Sequence, residues 1–159
     1  MIVKEYPSQK QLKELFHYKD GYLIWRTSWR AGRKAGHVKK KSYTKYGKRR
    51  RTVIIEGEAY LNSRLVYIFY NGTIVNNLFI DYIDRNTLDD RIENLRLVTT
   101  QENGYNRGAT GYTQRKNRWE ATIMKDNKSI YLGLFKTKEE ARKAYSEAKK
   151  TYHKIKEIV

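Results

Sequence analysis

Residues 80–107, IDYIDRNTLDDRIENLRLVTTQENGYNR, constrain the fold of this chain more than any other stretch. Apolar residues alternate around one carboxylate over residues 78–83, which predicts a short strand. The run 86–90 is rich in turn residues, and the apolar positions within 95–98 predict a second strand. We therefore expect two short strands joined by a tight connection.

A helix is expected to follow the second strand directly. Thr99 with Glu102 three residues later forms a capping-box pattern, so the helix should begin near Thr100. A compact unit of two strands and a helix can bring Asp81, on the first strand, opposite Asn103, early in the helix. A carboxylate and an amide oxygen are hard donors that suit Mg²⁺ or a similar cation.

Acidic residues are concentrated in this same stretch. Residues 80–103 hold six acids and three bases, inside a chain whose formal net charge is +17. A cation held where a polyanion will lie would explain this acidic island. A solvated acidic loop that keeps a basic surface soluble would explain it equally well. Composition alone leaves both interpretations open.

The residues of this stretch resemble the ββα-metal motif of HNH endonucleases, in the subgroup of phage-encoded and intron-encoded homing enzymes. The resemblance rests on Asp81, Asn94 and Asn103, and on the runs Asn94-Leu95-Arg96 and Val98-Thr99. It implies that Asp81 and Asn103 bind one divalent cation, Mg²⁺ or Mn²⁺. It also implies that Asn94 belongs to the catalytic set and braces the loop.

The sequence departs from the family pattern at two positions. Tyr82 stands where the family has its general base, a His, and Ser63 stands where a second His precedes Arg-Leu. Tyr82 is the catalytic candidate by position. An unperturbed Tyr, with a pKa near 10, is a weak base at pH 7, although a phenolate could also attack phosphorus directly. His17, His37 and His153 match no motif position and are expected to be surface or packing residues.

Length and composition limit the remaining classes. The 159 residues suit one or two small domains, and the absence of Cys excludes disulfides and Cys-ligated zinc. No apolar run approaches the roughly 20 residues of a membrane span, and the N-terminus lacks a signal-peptide core. These features predict a cytoplasmic protein without membrane association. The net charge of +17 predicts a polyanionic partner, with nucleic acid ahead of a membrane surface.

The second unusual stretch is basic. Residues 26–51 contain twelve Lys or Arg and no acid, with aromatic residues interleaved and glycines between them. Such a segment suits a loop or ribbon along a phosphate backbone, or a disordered arm that DNA orders on binding. The DNA contacts predicted in it are Arg30, Arg33, Lys34, Arg49, Arg50 and Arg51.

Other signals define the supporting elements. Ser8 and Gln11 predict a capped first helix over 8–16, and residues 21–25 predict a strand. Glu56-Gly57 predicts a hairpin turn within 51–61, and a helix is expected over 63–70 with Ser63 as its N-cap. The resulting segments are an N-terminal helix and strand (1–25), a basic arm (26–51), an HNH domain (52–107) and a C-terminal module (108–159).

The C-terminal module follows a glycine-rich linker. Strands are predicted over 111–114, 118–125 and 129–135, with a turn at Asp126-Asn127, followed by a helix capped by Thr137. This segment resembles the DNA-binding domain of plant APETALA and ethylene-response factors, through Gly111-Tyr112, Trp119, Tyr131-Leu132-Gly133, Phe135, Glu139-Glu140-Ala141 and Ala144-Tyr145. The resemblance implies that the sheet contacts duplex DNA. The predicted contacts are Arg115, Arg118 and Tyr131.

The predicted fold class is α+β: a small ββα-metal HNH module with a supporting hairpin and helices, then a three-stranded antiparallel sheet plus helix. The predicted function is a metal-dependent, nicking DNA endonuclease of homing type, acting as a monomer with no evident protein partner. Two alternatives stay open. One is a DNA-binding relative that has lost cleavage through Tyr82 and Ser63, and the other is a basic RNA-binding protein with a structural acidic island.

Overall fold

The computed structural model describes residues 5–27, 29–38, 49–75, 77–106 and 109–155. The chain has an α+β fold and divides into two compact units, with the division between Leu97 and Val98. This division falls ten residues before the predicted start of the C-terminal module at residue 108. The motif helix therefore groups with the second unit. Part of the predicted basic arm, including Tyr43, Tyr46 and Gly47, lies outside the described residues.

The first unit opens with a helix and a hairpin. Helix α1 (Gln9–Leu15) has the predicted capping box, with Ser8 and Gln11 each bonding the other's backbone N–H. Strands β1 (Phe16–Lys19) and β2 (Tyr22–Trp25) then pair antiparallel. Asp20 and Gly21 form the turn with positive φ values, as a two-residue hairpin of this type requires. The strand β1 was not predicted, because its residues continue the apolar pattern of the helix.

A three-stranded antiparallel sheet follows. It consists of β3 (His37–Val38), β4 (Arg51–Ile55) and β5 (Glu58–Leu61), in that order. The predicted turn at Glu56-Gly57 joins β4 to β5, and both turn residues have positive φ. The hairpin predicted within 51–61 is confirmed.

Helix α2 (Asn62–Asn71) covers this framework. It packs against α1, β2, β4 and β5, and its buried residues join Leu12, Phe16 and Leu23 in one apolar core. The prediction that Ser63 caps this helix is wrong. The N-cap is Leu61, which makes no side-chain cap hydrogen bond, and Ser63 lies buried in the first turn. The Ser63 side chain instead forms a hydrogen bond with Tyr82.

The motif strands complete the first unit. Strand β6 (Phe79–Tyr82) pairs with β7 (Leu95–Val98), and a single 3₁₀ turn (Ile92–Asn94) leads into β7. The predicted pair of short strands is confirmed.

The second unit begins with the motif helix. Helix α3 (Thr100–Tyr105) has the predicted capping box between Thr99 and Glu102. Strands β8 (Tyr112–Arg115), β9 (Arg118–Lys125) and β10 (Lys128–Phe135) form an antiparallel sheet with β9 in the centre. Helix α4 (Lys138–Tyr152), capped by Thr137 and Glu140 as predicted, packs on all three strands.

Small residues allow α4 to approach the sheet closely. Ala121 and Ile123 of β9 and Ala141 and Tyr145 of α4 are buried. Gly111 has φ +67°, and a Cβ built at this position would overlap the Tyr145 ring. Only glycine therefore fits at position 111. Among the described residues, no helix is both long enough and apolar enough to cross a membrane.

Candidate active site

Asp81 lies on β6 and is buried against an arginine. Its Oδ2 accepts hydrogen bonds from Nε and Nη2 of Arg96, at 3.0 and 2.8 Å. Arg96 lies on the neighbouring strand β7, and the two charges form an ion pair. The Asp81 carboxylate is the type of hard oxygen donor that Mg²⁺ takes, but a cation would have to share it with Arg96.

Asn94 ties the loop between the two strands to itself. Its Oδ1 accepts from the Asp84 N–H at 3.0 Å, while its Nδ2 donates to Asp84 Oδ1 and to the Asp89 carbonyl, each at 2.9 Å. Its own carbonyl accepts from the Ile83 N–H. These four hydrogen bonds brace the loop, and Nδ2 donates two of them. Asn94 thus supports the site through its neighbours.

Tyr82 belongs to a buried polar network. Its hydroxyl donates to Oδ1 of Asp90 at 2.9 Å, and both side chains are almost inaccessible, at 5% and 2% exposure. Asn62 Nδ2 donates to the other oxygen of Asp90 at 2.8 Å and to the Gly21 carbonyl at 2.9 Å. The Arg51 guanidinium lies 3.6 Å from Asp90. The network joins the start of α2, the β1–β2 turn and the motif loop.

The network makes Tyr82 a poor base. Burial raises the pKa of the Tyr82 phenol well above its usual value, and the adjacent Asp90 charge raises it further; the Ser63 hydrogen bond lowers it only in part. Burial also raises the pKa of the Asp90 carboxyl, although hydrogen bonds from Asn62 and Tyr82 oppose this. A general base has to accept a proton near pH 7. The Tyr82 hydroxyl is instead held as a hydrogen-bond donor.

The two departures from the family pattern meet in the structure. Ser63 in α2 forms a side-chain hydrogen bond with Tyr82 in β6, across 19 positions of sequence. Both side chains are buried. The Ser63 hydrogen bond lowers the pKa of Tyr82, as expected of a donor to the phenol oxygen, whose own proton goes to Asp90.

Most acidic residues of the acidic island form hydrogen bonds or ion pairs within the protein. Asp84 bonds Asn94 and the Asn86 N–H, and Asp89 forms an ion pair with Arg91 at 2.7 Å. Glu102 caps α3. Within the part of the chain that the structure describes, no three His, Cys, Asp or Glu side chains gather into a metal-binding cluster. Structural hydrogen bonds and ion pairs therefore account for most of these acids, and Asp81 is the carboxylate predicted to bind a metal.

Asn103 lies in α3 of the second unit, where its N–H donates to the Thr99 carbonyl at 2.9 Å. This short helix contacts the rest of the second unit through Gln101 and Tyr105, which lie on either side of Asn103. Gln101 Nε2 donates to Asp126 Oδ1 at 2.8 Å, and the Tyr105 ring stacks on His153, with centroids 4.0 Å apart. The His153 ring also bonds the Met124 carbonyl. The pairing of Asn103 with Asp81 about a metal stays a prediction.

The predicted DNA contacts of the basic segment have different environments. The Arg51 side chain is only 13% exposed, and its guanidinium lies over the Tyr22 ring beside Asp90. Lys34 lies over the same ring, 3.6 Å from its centroid. Arg49 and Arg50 are exposed, and the Arg49 carbonyl accepts from Thr87. Arg30 and Arg33 lie against Trp29.

The outer face of the second sheet is mixed in character. Arg118 and Tyr131 are exposed, as predicted, and Tyr131 is 62% accessible beside Thr122. Arg115 lies 3.4 Å from Glu120, so part of its charge is balanced within the sheet. A β-bulge between Tyr131 and Gly133 shifts the register of β10. Of the two predicted arginine contacts on this sheet, Arg115 shares its charge with Glu120 and Arg118 is exposed.

Sequence patterns did not reveal several residues of the site. Asp90, Asn62 and Arg96 carry the hydrogen bonds and ion pairs described above, yet none has a local sequence signature. Their partners lie between 8 and 41 positions away along the chain. The alternation of β7 did indicate that Arg96 differs in orientation from Leu95 and Leu97.

Comparison with known proteins assigns the region that carries the site. Residues 60–105 match the family model described as HNH endonuclease. An uncharacterised HNH endonuclease of Acanthamoeba polyphaga mimivirus is 25% identical over 95 residues, covering 57% of this chain and 51% of that protein. Protein 3.8 of Escherichia phage T7 is 35% identical over 68 residues, covering 36% of this chain and 56% of that protein. The chain thus spans about half the length of these curated relatives.

A solved structure of DNA binding and cleavage by the HNH homing endonuclease I-HmuI has a TM-score of 0.45 and 21% identity, covering 80% of this chain and 77% of that one. The family match runs from the end of β5 through α3 and includes Asp81, Asn94 and Asn103. The likeness of the C-terminal module to the plant factors stays a prediction. Over residues 60–105, the chain is similar to the HNH endonuclease family.

Proposed function

We propose that this protein binds duplex DNA as a member of the HNH endonuclease family and nicks it only slowly. The carrying observation is Tyr82, which occupies the position of the family's general base. Its hydroxyl is buried, donates to Asp90 and has a raised pKa. Positioned bases contribute about 10² to 10⁴ in rate, so a site without one is expected to lose most of its activity.

Asp81 and Asn103 would hold one divalent cation, Mg²⁺ or Mn²⁺, in this proposal. Both supply oxygen donors, and such cations keep waters and take phosphate oxygens as further ligands. The bound cation would stabilise negative charge on the phosphate and the leaving oxygen. Asn94 would keep the loop beside Asp81 in one conformation through its four hydrogen bonds.

The binding energy would come mainly from charge. The chain carries +17, and the predicted contacts of the acid-free segment 26–51 are Arg30, Arg33, Lys34, Arg49, Arg50 and Arg51. Each phosphate that they neutralise should contribute a slope of about −0.9 to log K against log salt. Arg115, Arg118 and Tyr131 would add contacts from the second sheet. A flat salt response, or a clear preference for folded RNA over duplex DNA, would contradict this part of the proposal.

Single-turnover nicking of a supercoiled plasmid tests the role of position 82. Tyr82→His should raise metal-dependent nicking by at least about tenfold, because a neutral imidazole can accept a proton at pH 7. Tyr82→His combined with Asp81→Asn is the matched control and should return the rate to background. If the native chain is the faster enzyme and Tyr82→Phe abolishes its activity, Tyr82 is itself catalytic and the proposal is wrong.

The buried network also favours a second candidate function, a DNA-binding protein that has lost cleavage. Ser63 and Tyr82 together replace both family histidines and bond each other inside the core. Restoring one histidine alone would leave the other position unmatched. If neither Tyr82→His nor the double variant with Ser63→His nicks DNA, while both still bind it, this second function is the better description.

A further inference from the structure

The loop after β2 brings together two indole and two guanidinium groups, those of Trp25, Arg30, Trp29 and Arg33, which we term the indole–guanidinium ladder. The Arg30 guanidinium carbon lies 5.2 Å from the Trp25 ring centroid and 4.9 Å from the Trp29 centroid. The Arg33 guanidinium lies 5.7 Å from Trp29. Trp29 is 74% exposed, the highest exposure among the large apolar side chains of the described residues.

The ladder is anchored to the core of the first unit. The Trp25 ring packs on the buried Phe16, with centroids 4.4 Å apart. The Trp25 N–H donates to the Arg33 carbonyl at 3.0 Å, and its carbonyl accepts from the Gly32 N–H at 2.8 Å. Gly32 has φ +76°, a conformation that glycine adopts without strain. These bonds fold the loop back onto β2, so Trp29 is displayed from a fixed base.

An exposed tryptophan alone needs no explanation, but its surroundings here limit what could cover it. From residue 26 to residue 38 the sequence holds four Lys or Arg and no acid. A ligand for this surface must therefore combine negative charge with a flat apolar face. A nucleotide has both, because its phosphate suits the guanidinium groups and its base can stack on an indole.

We propose that Trp29 is a stacking platform for an unpaired base of DNA, with Arg30 and Arg33 holding the adjoining phosphates. In a fully paired duplex the base faces are covered by their neighbours, so the platform would engage DNA that is locally opened, bulged or single-stranded. Stacking of one base on an aromatic side chain contributes sequence-tolerant affinity. The proposal deepens the proposed DNA binding, on which it rests, by naming the DNA structure that the first unit recognises.

The test uses the full chain and two hairpin DNAs of one sequence, one fully paired and one with a single bulged 2-aminopurine. Trp29→Ala should weaken binding to the bulged DNA by about 5-fold to 100-fold, the range of one lost stacking contact. Binding to the paired DNA should change by less than about twofold. Trp29→Phe keeps a smaller aromatic face, and its affinity should fall between the two.

Fluorescence gives an independent readout. Bulged DNA should quench tryptophan emission in the native chain and in Trp119→Phe, but much less in Trp29→Phe. Trp119→Phe is the matched control, because Trp119 lies in the second unit.

Three results would overturn the proposal: equal affinity losses on both DNAs, no loss on either, or a loss confined to anionic phospholipid vesicles. If the native chain binds neither DNA, the proposed function fails as well. If it binds both and Trp29→Ala makes no difference, only the stacking platform is wrong.

Discussion

The interiors of the two units differ in how they fix their residues. Among the described residues, every buried polar or charged side chain belongs to the first unit: Asn62, Ser63, Asp81, Asp90 and Asn94. The second unit buries Val98, Ala121, Ile123, Ala141 and Tyr145, which are apolar or aromatic. The first interior adds directed hydrogen bonds to its apolar core, whereas the second relies on close fit.

This difference predicts how rigidly each interior holds its residues. Buried hydrogen bonds require specific partners in specific directions, because an unsatisfied buried group costs about 1–3 kcal/mol. They therefore fix the loop that carries the motif residues in one arrangement. An apolar contact between helix and sheet tolerates more rearrangement, but it fails when an atom is added where no space exists. The two interiors should consequently respond to opposite kinds of substitution.

The largest expected effect is overpacking in the second unit. Gly111→Ala should lower the free energy of unfolding of this unit by more than about 3 kcal/mol, because the added methyl overlaps the Tyr145 ring and φ is positive. Gly57→Ala is the matched control. Gly57 also has positive φ but no neighbour within 4 Å of a built Cβ, so only the backbone strain of about 1–2 kcal/mol applies. Calorimetry of the full chain measures both; equal losses would remove the argument from fit.

Deleting one hydroxyl should harm the first unit selectively. Tyr82→Phe leaves Asp90 Oδ1 without its donor, so we expect a loss of about 1–3 kcal/mol in unfolding free energy. Tyr145→Phe, at a buried tyrosine of the second unit that contacts no buried carboxylate among the described residues, should cost less. Urea denaturation of both variants gives the comparison. Similar losses for the two would mean that the first unit does not depend on its polar network.

Alkaline titration should narrow the gap between the native chain and Tyr82→Phe. The folded pKa of Tyr82 is raised above the unfolded value of about 10, so the neutral phenol stabilises the fold fully below pH 10. That stabilisation is lost as pH rises from 10 towards the folded pKa. The difference in denaturation midpoint between the two proteins should therefore shrink as the pH is raised above about 10. A constant difference would indicate that Tyr82 does not titrate with unfolding.

The smallest expected effect concerns the ion pair at the candidate metal site. Arg96→Gln removes the guanidinium that competes with a metal ion for the Asp81 carboxylate. The affinity for Mn²⁺ should therefore rise by up to about fivefold, since the ion pair is partly exposed. Arg115→Gln, which breaks the pair with Glu120 in the second unit, is the control and should leave Mn²⁺ affinity unchanged. Titration calorimetry or paramagnetic relaxation measures both. Weaker Mn²⁺ binding by Arg96→Gln would argue against Asp81 as a ligand.

Local signals predicted the elements well. The three capping boxes at Ser8, Thr99 and Thr137 were all correct, because each depends on residues three positions apart. The turns at Glu56-Gly57 and Asp126-Asn127 were correct for the same reason.

Roles that depend on distant partners could not be predicted in this way. Ser63 was expected to cap α2, and its buried contact with Tyr82 became visible only in the fold. The position of Arg51 beside Asp90, 39 positions away, was likewise visible only in the fold, and its DNA contact stays a prediction. The same limit applies to Tyr82 itself. The sequence identified the missing histidine, while the burial of its replacement depends on α2 and the motif loop.

The ion pair between Asp81 and Arg96 bears on whether the protein can fold before it binds a metal. Many small metal-binding domains are unfolded until the metal arrives, because their ligands repel one another or lack partners. Here the candidate ligand already has a positive neighbour within the chain, at 2.8 Å. The protein should therefore fold, persist and search DNA in the presence of a chelator. The availability of divalent ions would then control the proposed cleavage of DNA, while the fold and the amount of folded protein stay the same.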